Sequence, residues 1–192
     1  MRLGLLVAVT ALVVTAAVAG TLSRRGGDER SKGEPIETTV KQLRATAANA
    51  AGPIHWAGRG PGTCLELIET KAGKTFVRYP PSGVSVGDRQ TSSLTVASYP
   101  VPRAYAVTEK SSRKRTMVHA RTLGGGLAVW SRTRPSNVYL AYPGSDVLVE
   151  VFSPGGVLGQ RLVLSGEVAP VGDESSPMPV PGQLARPAGL SR

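Results

Sequence analysis

Apolar and polar positions change rhythm three times along the chain. From Leu3 to Leu22 no charge interrupts a run rich in Val, Leu and Ala. Arg24 and Arg25 then open a polar, Gly-containing stretch that lasts to Glu34. Ile36, Val40, Leu43 and Ala47 follow at spacings of four, three and four, the stripe of one helix face. Pro35 suits the first position of that helix, and Pro53 closes the segment behind Gly52. From Ile54 the period falls to two. "CLELIETK" sets Cys64, Glu66, Ile68 and Thr70 against Leu65, Leu67 and Glu69. With Gly73 as the turn and "TFVRY" beyond it, a β-hairpin is predicted.

"PIHWAG", "SLTVASYP", "NVYLAY" and "DVLVEVF" read as further strands. "TMVHARTL" and "LAVWSRT" flank Gly124, Gly125 and Gly126 as a second hairpin. Residues 103–115 predict a helix with Ala104, Val107 and Ser111 turned inward. Ser153 before Pro154 predicts an N-cap for a second short helix, and Gly166 its stop. Its buried stripe would be Leu158, Leu162 and Val163 or Leu164. "EVAPV" would be a last short strand, and residues 170–192, with five prolines, a disordered tail.

The fold class expected is therefore α+β. An N-terminal apolar helix precedes a small antiparallel sheet of six to eight strands carrying one or two helices. The divisions are 1–22 (membrane anchor or signal), 23–52 (linker with an amphipathic helix), 53–171 (folded body) and 172–192 (tail).

Two readings of the opening run stand open. A helix over Leu3 to Leu22 would span about 30 Å, the hydrocarbon thickness of a bilayer. Equally, Arg2 gives a short basic start, and Ala17-Val18-Ala19 fits the small-x-small pattern before a cut at Gly20. Counting Arg24, Arg25, Arg30 and Lys32 by the positive-inside rule would put the body in the cytoplasm. The short basic N-terminus favours export. The expected location is a single-pass membrane protein with an extracytoplasmic body, or a secreted body after cleavage near Ala19.

Charge narrows the partners. The chain carries 23 Lys and Arg against 13 Asp and Glu, a net charge of +10, which attracts polyanions. The strongest local run is "KSSRKRTMVHAR". Lys110, Arg113, Lys114, Arg115 and Arg121 form a candidate site for the phosphates of anionic lipid or a cell-wall polymer. No aromatic residue is interleaved between these cations up to Arg115, so nucleic acid is not the expected partner.

A single cysteine, Cys64, rules out an internal disulfide. As a thiol nucleophile it would need His55 or His119 as a base. His55-Trp56 and Trp130 read as packed strand residues rather than as a ligand platform. "GRGPGTC" lacks the Lys-Ser/Thr of a phosphate loop, and no Gly-x-Ser-x-Gly elbow occurs. No catalytic, cofactor-binding or metal-binding residue is assigned, and no cofactor is expected.

The succession "PIHWAG", "ELIETKAGKTFVRYPPSGVSVGD", "LTVASYP", "RPSNVYLAYPGSDVLVEVFSP" and "RLVLSGEV" resembles a group of uncharacterised extracytoplasmic, membrane-anchored small α+β proteins of high-GC Gram-positive bacteria. The resemblance implies export and one domain over residues 53–170, and carries no activity or site residue over to this chain. The expected function is a non-enzymatic, membrane-tethered envelope domain that binds a partner protein or an anionic surface polymer. The alternative is a small envelope enzyme using Cys64 as nucleophile.

Overall fold

The computed structural model describes residues 33–59, 64–88 and 93–173. The apolar opening run, most of the basic stretch after it and the tail beyond 173 lie outside the described residues. Among the described residues no helix is long and apolar enough to cross a membrane.

The chain forms β1 (Ile36–Thr38), α1 (Val40–Asn49), β2 (His55–Trp56), β3 (Leu65–Glu69), β4 (Thr75–Tyr79) and β5 (Leu94–Pro100). It continues with α2 (Ala104–Ser112), β6 (Met117–Arg121), β7 (Leu127–Ser131), β8 (Asn137–Ala141), β9 (Val147–Phe152), α3 (Val157–Leu164) and β10 (Ala169–Pro170). Eight strands make one antiparallel sheet in the order β1-β3-β4-β5-β9-β8-β7-β6, and β2 pairs with β10 apart from it. The architecture is a small α+β domain with three helices among the described residues.

The topology joins two meanders, β3-β4-β5 and β6-β7-β8-β9, which meet where β5 pairs with β9. The chain leaves β5 at the centre of the sheet and must re-enter at its edge as β6. α2 makes that crossing and packs over β6, β7, β8 and the rim of β9.

Register fixes the core. Ile36, Leu67, Val77, Val96, Val151, Val138, Trp130 and Val118 are successive cross-strand partners, one from each strand. Leu43 of α1 and Leu162 and Val163 of α3 join the same apolar cluster, so α1 and α3 cover this face. The opposite face carries α2 at one side and the 84–88 loop at the other. That loop is pinned by a buried ion pair: Arg78 Nη1 lies 2.7 Å from Glu66 Oε2, and Glu66 is fully buried. Glu66 Oε1 also accepts from the Gly87 N–H at 3.1 Å, while Arg78 donates to the Asp88 carbonyl at 2.8 Å.

Several expectations are corrected in detail. Ile36 belongs to a strand and not to the first helix, because Thr39 stops the extended run and caps α1 in a reciprocal box with Gln42. Residues 36–49, expected within the linker, thus supply both an edge strand and a helix whose Leu43 is fully buried. In α2 the buried residues are Ala104 and Thr108, one turn apart, and Val107 faces solvent. Ser153 does not cap α3. Its N–H prolongs the β9 ladder onto the Ser136 carbonyl, and its own carbonyl accepts from Gly156. Gly156 is the N-cap, with φ +73 and its Cα so close to Pro135 that an added Cβ would meet that carbonyl oxygen at 2.9 Å. Gly159 then lies against Val151 and Ser153, which leaves Leu158 exposed. Gly166 ends the helix as expected, in a left-handed conformation.

Leu43→Ala would test whether α1 is part of the domain. Deleting a fully buried leucine costs about 2–5 kcal/mol, so the urea midpoint of the full chain should fall by that equivalent. An unchanged midpoint would place α1 outside the cooperative unit.

Candidate functional site

The cations of the candidate site separate into two groups. Lys110 lies in the last turn of α2, and Arg113, Lys114 and Arg115 follow directly. Cations there complement the carbonyl end of the helix dipole. The turn is closed by the Lys114 N–H onto the Ser111 carbonyl at 3.2 Å and by the Met117 N–H onto the Lys114 carbonyl at 3.0 Å. Arg132 joins from the end of β7, where its Nε donates to the Arg115 carbonyl at 3.3 Å. All five side chains are on exposed residues. Among the described residues Lys110, Lys114 and Arg115 form no ion pair, and Arg113 has a 3.5 Å contact with Glu109, both well exposed. An exposed pair of this kind contributes little.

Arg121 stands apart. It ends β6, four residues beyond Met117, about 14 Å along the strand. Its guanidinium donates to the Tyr105 hydroxyl and lies 5.6 Å from the centre of that ring. Tyr105 is at the opposite end of α2 from Lys110, so Arg121 secures the start of the helix and the other four cations crown its end.

Between Arg103 and Arg134 there are eight Lys and Arg residues and one acid, Glu109. This segment therefore carries +7 of the chain's +10. It forms α2, β6 and β7 at one side of the sheet. Cations on the edge strand β6 also discourage pairing with a second sheet.

The cysteine and the histidines are not brought together. Cys64 is exposed and immediately precedes β3. His119 lies on β6, six strands away in the sheet, roughly 30 Å. His55 Nδ1 lies 3.2 Å from Ser98 Oγ, and the His55 N–H donates to the same oxygen at 3.0 Å. Ser98 is level with Thr75 and Glu69, at the far end of β3 and two strands over, roughly 20 Å from Cys64. Neither histidine can serve that thiol as a base.

A second polar cluster has no sequence signature. Glu150 on β9 accepts from the Tyr99 hydroxyl at 2.7 Å, from Asn137 Nδ2 and from Tyr139. Burial, then the Glu150 charge, raises both tyrosines, Tyr139 to about 12. Tyr99 also packs edge-on against Phe76, with ring centres 5.9 Å apart. These groups come from β4, β5, β8 and β9, so only the register brings them together. The carboxylate is met by three neutral donors, which ties the two meanders together at their junction. Among the described residues no three His, Cys, Asp or Glu side chains are grouped as a metal site.

No protein family, curated protein or solved structure matches the chain.

His55 gives a pH test of the fold. Its burial lowers the imidazole to about 4 against a hydrogen bond with the Pro53 backbone that pulls upward. The unfolded chain takes up this proton near pH 6.5 and the folded one does not. Stability is therefore complete above pH 6.5 and is lost as pH falls toward 4, by on the order of 3 kcal/mol. The His55 Cε1 proton should titrate near 4 by NMR, and His55→Asn should flatten the pH dependence of the urea midpoint. A titration near 6.5 would contradict it.

Proposed function

We propose that the protein is a non-enzymatic envelope domain, held at a membrane by residues 3–22, whose extracytoplasmic body binds phosphate-bearing polyanions. The binding surface is the end of α2 with the adjoining end of the β6–β7 hairpin: Lys110, Arg113, Lys114 and Arg115, with Arg132 beside them. The observation that carries this reading is the concentration of charge. Eight cations and one acid lie in a single supersecondary unit, and three of the four crowning side chains have no internal ion pair among the described residues. A cation left without a protein partner keeps its full attraction for an external phosphate. Lipid headgroups and phosphate-bearing wall polymers share that chemistry.

Each Lys or Arg near an anionic surface is worth about 1 kcal/mol. Replacing Lys110, Arg113, Lys114 and Arg115 together by Gln should weaken retention roughly a thousandfold, and raised salt should weaken the native chain likewise. Sedimentation with anionic vesicles, zwitterionic vesicles and isolated wall material separates the two sources. Equal retention of native and quadruple variants on every anionic support would sink the reading. The same preparation reports the N-terminus: an intact Met1 in the membrane fraction identifies an anchor, and a start at Gly20 a removed signal.

A further inference from the structure

Among the described residues five large apolar side chains are exposed, and three of them surround one helix. Val157, 76% exposed, and Leu158, 42% exposed, open α3. Leu123, 84% exposed, stands at the other end, where a Cβ added to Gly166 would lie 3.7 Å from the Leu123 Cβ. Along the helix, about 12 Å long, Gly159, Leu162 and Val163 turn inward. Val157, Arg161 and the half-buried Leu164, spaced by four and three, therefore share the outward side. Leaving Val157 and Leu123 in water costs free energy that burial against an outside surface would recover.

Charge says which surface. α1 covers the same face of the sheet and turns Lys41 and Arg44 outward. With Arg161 they give the two helices three exposed cations and no acid. Glu167, beyond the end of α3, lies 3.4 Å from Arg161 and offsets one of them in part. Apolar side chains set among Lys and Arg are the make-up of a helix lying in the headgroup layer, with its apolar groups toward the acyl chains and its cations at the phosphates. Position supports the same partner. Residues 23–35 are the whole connection between residues 3–22 and β1. With residues 3–22 in a bilayer, that tether makes lipid contact an intramolecular event. A patch of this size then has only to orient the domain, not to hold it at the membrane.

We propose that the α1–α3 face lies on an anionic lipid surface, with Val157, Leu158 and Leu123 at the boundary of headgroups and acyl chains and Lys41, Arg44 and Arg161 at the phosphates. The inference rests on the membrane attachment proposed for residues 3–22. α2 and α3 both contact β8, from opposite faces of the sheet. The cations at the end of α2 then point away from the lipid, toward a polymer outside it.

The test uses the full-length chain with Cys64→Ser, reconstituted into vesicles of phosphatidylcholine and phosphatidylglycerol. It carries one fluorescent thiol probe, at Val157→Cys, at Leu123→Cys or, on the outer side of α2, at Val107→Cys. A lipid bearing a nitroxide just below its headgroup quenches probes at the depth of about 5–10 Å to which such a helix sinks its apolar face. Probes at positions 157 and 123 should be quenched and shifted to the blue, and the probe at 107 should not. Adding Val157→Asp and Leu158→Asp should release the probe at 123 from quenching while the chain still floats with the vesicles. Aspartate suits the first turn of a helix, so an unchanged urea midpoint is expected of that variant. In a chain that floats, equal quenching at 157 and 107, or a probe at 123 indifferent to the aspartates, would overturn the proposal and leave the anchor standing. Unquenched probes at both 157 and 123 would overturn it too, and assign the patch to a protein partner. A chain that does not float would remove the anchor, and this inference with it.

Discussion

Eight apolar side chains, one from each strand of the main sheet, stand in a single line across it, and all but Val118 belong to or pack against the core that α1 and α3 complete. Five of them, Leu67, Val77, Val96, Val151 and Val138, are exposed by 1% or less. Burying each contributes about 1.5–3 kcal/mol. The line also sets register. A slip of one residue in any strand would turn its member of the row to the other face. The chain has few aromatic residues, so this row, aliphatic at every position but Trp130, does the work that large rings do in other cores. Every other placement follows from it. Once the row is fixed, Glu66 must meet Arg78, Glu150 must meet Tyr99 and Tyr139, and Glu69 must stand beside Thr75.

The row also explains why the two faces differ. α1 and α3 bring Leu43, Leu162 and Val163 to the apolar side. α2 has another task, to carry the chain from the central strand β5 to the edge strand β6, and it needs only close approach to the sheet. Ala104 and Thr108 supply that with small side chains. Its outer surface is then free of packing duties and can carry charge. Topology thereby places the basic segment on the outside of one half of the sheet, while the connections at the other end gather Glu69 and Asp146.

The period-two runs made most strands legible, and the two Gly-marked hairpins with them. On the short helices apolar character was a partial guide: Ala104, Leu162 and Val163 are buried as expected, and Val107 and Leu158 are not. Val107 and Leu158 turned outward because Ala104, Thr108 and Gly159 occupy the contact positions. A rule that sends large apolar residues inward has no purchase where small residues permit closer approach. Ile36 was assigned to a helix because its spacing to Val40 fits a turn, although Thr39 with Gln42 is a capping signal present in the sequence and marks the true start. The basic cluster was legible as a linear run, and the separation of Arg121 was not, since it depends on the length of β6. The Glu150 cluster draws on several segments distant in sequence. No local pattern announces it.

The position of the basic edge constrains how one membrane-held chain could use it. The chain enters the sheet at β1, and β6 is the opposite edge, seven strand spacings or about 34 Å away. If residues 3–22 hold the chain in a bilayer, residues 23–35 are the whole connection to β1, and they reach at most about 45 Å when fully extended. A sheet standing on its β1 edge would present the cations some 34 Å or more from the lipid surface, well beyond a Debye length of about 8 Å. In that pose only a polymer outside the membrane meets them. A sheet lying on its α2 face would bring the same cations among the lipid heads. The distance between entry point and basic edge, and not the charge itself, decides which phosphate the domain encounters.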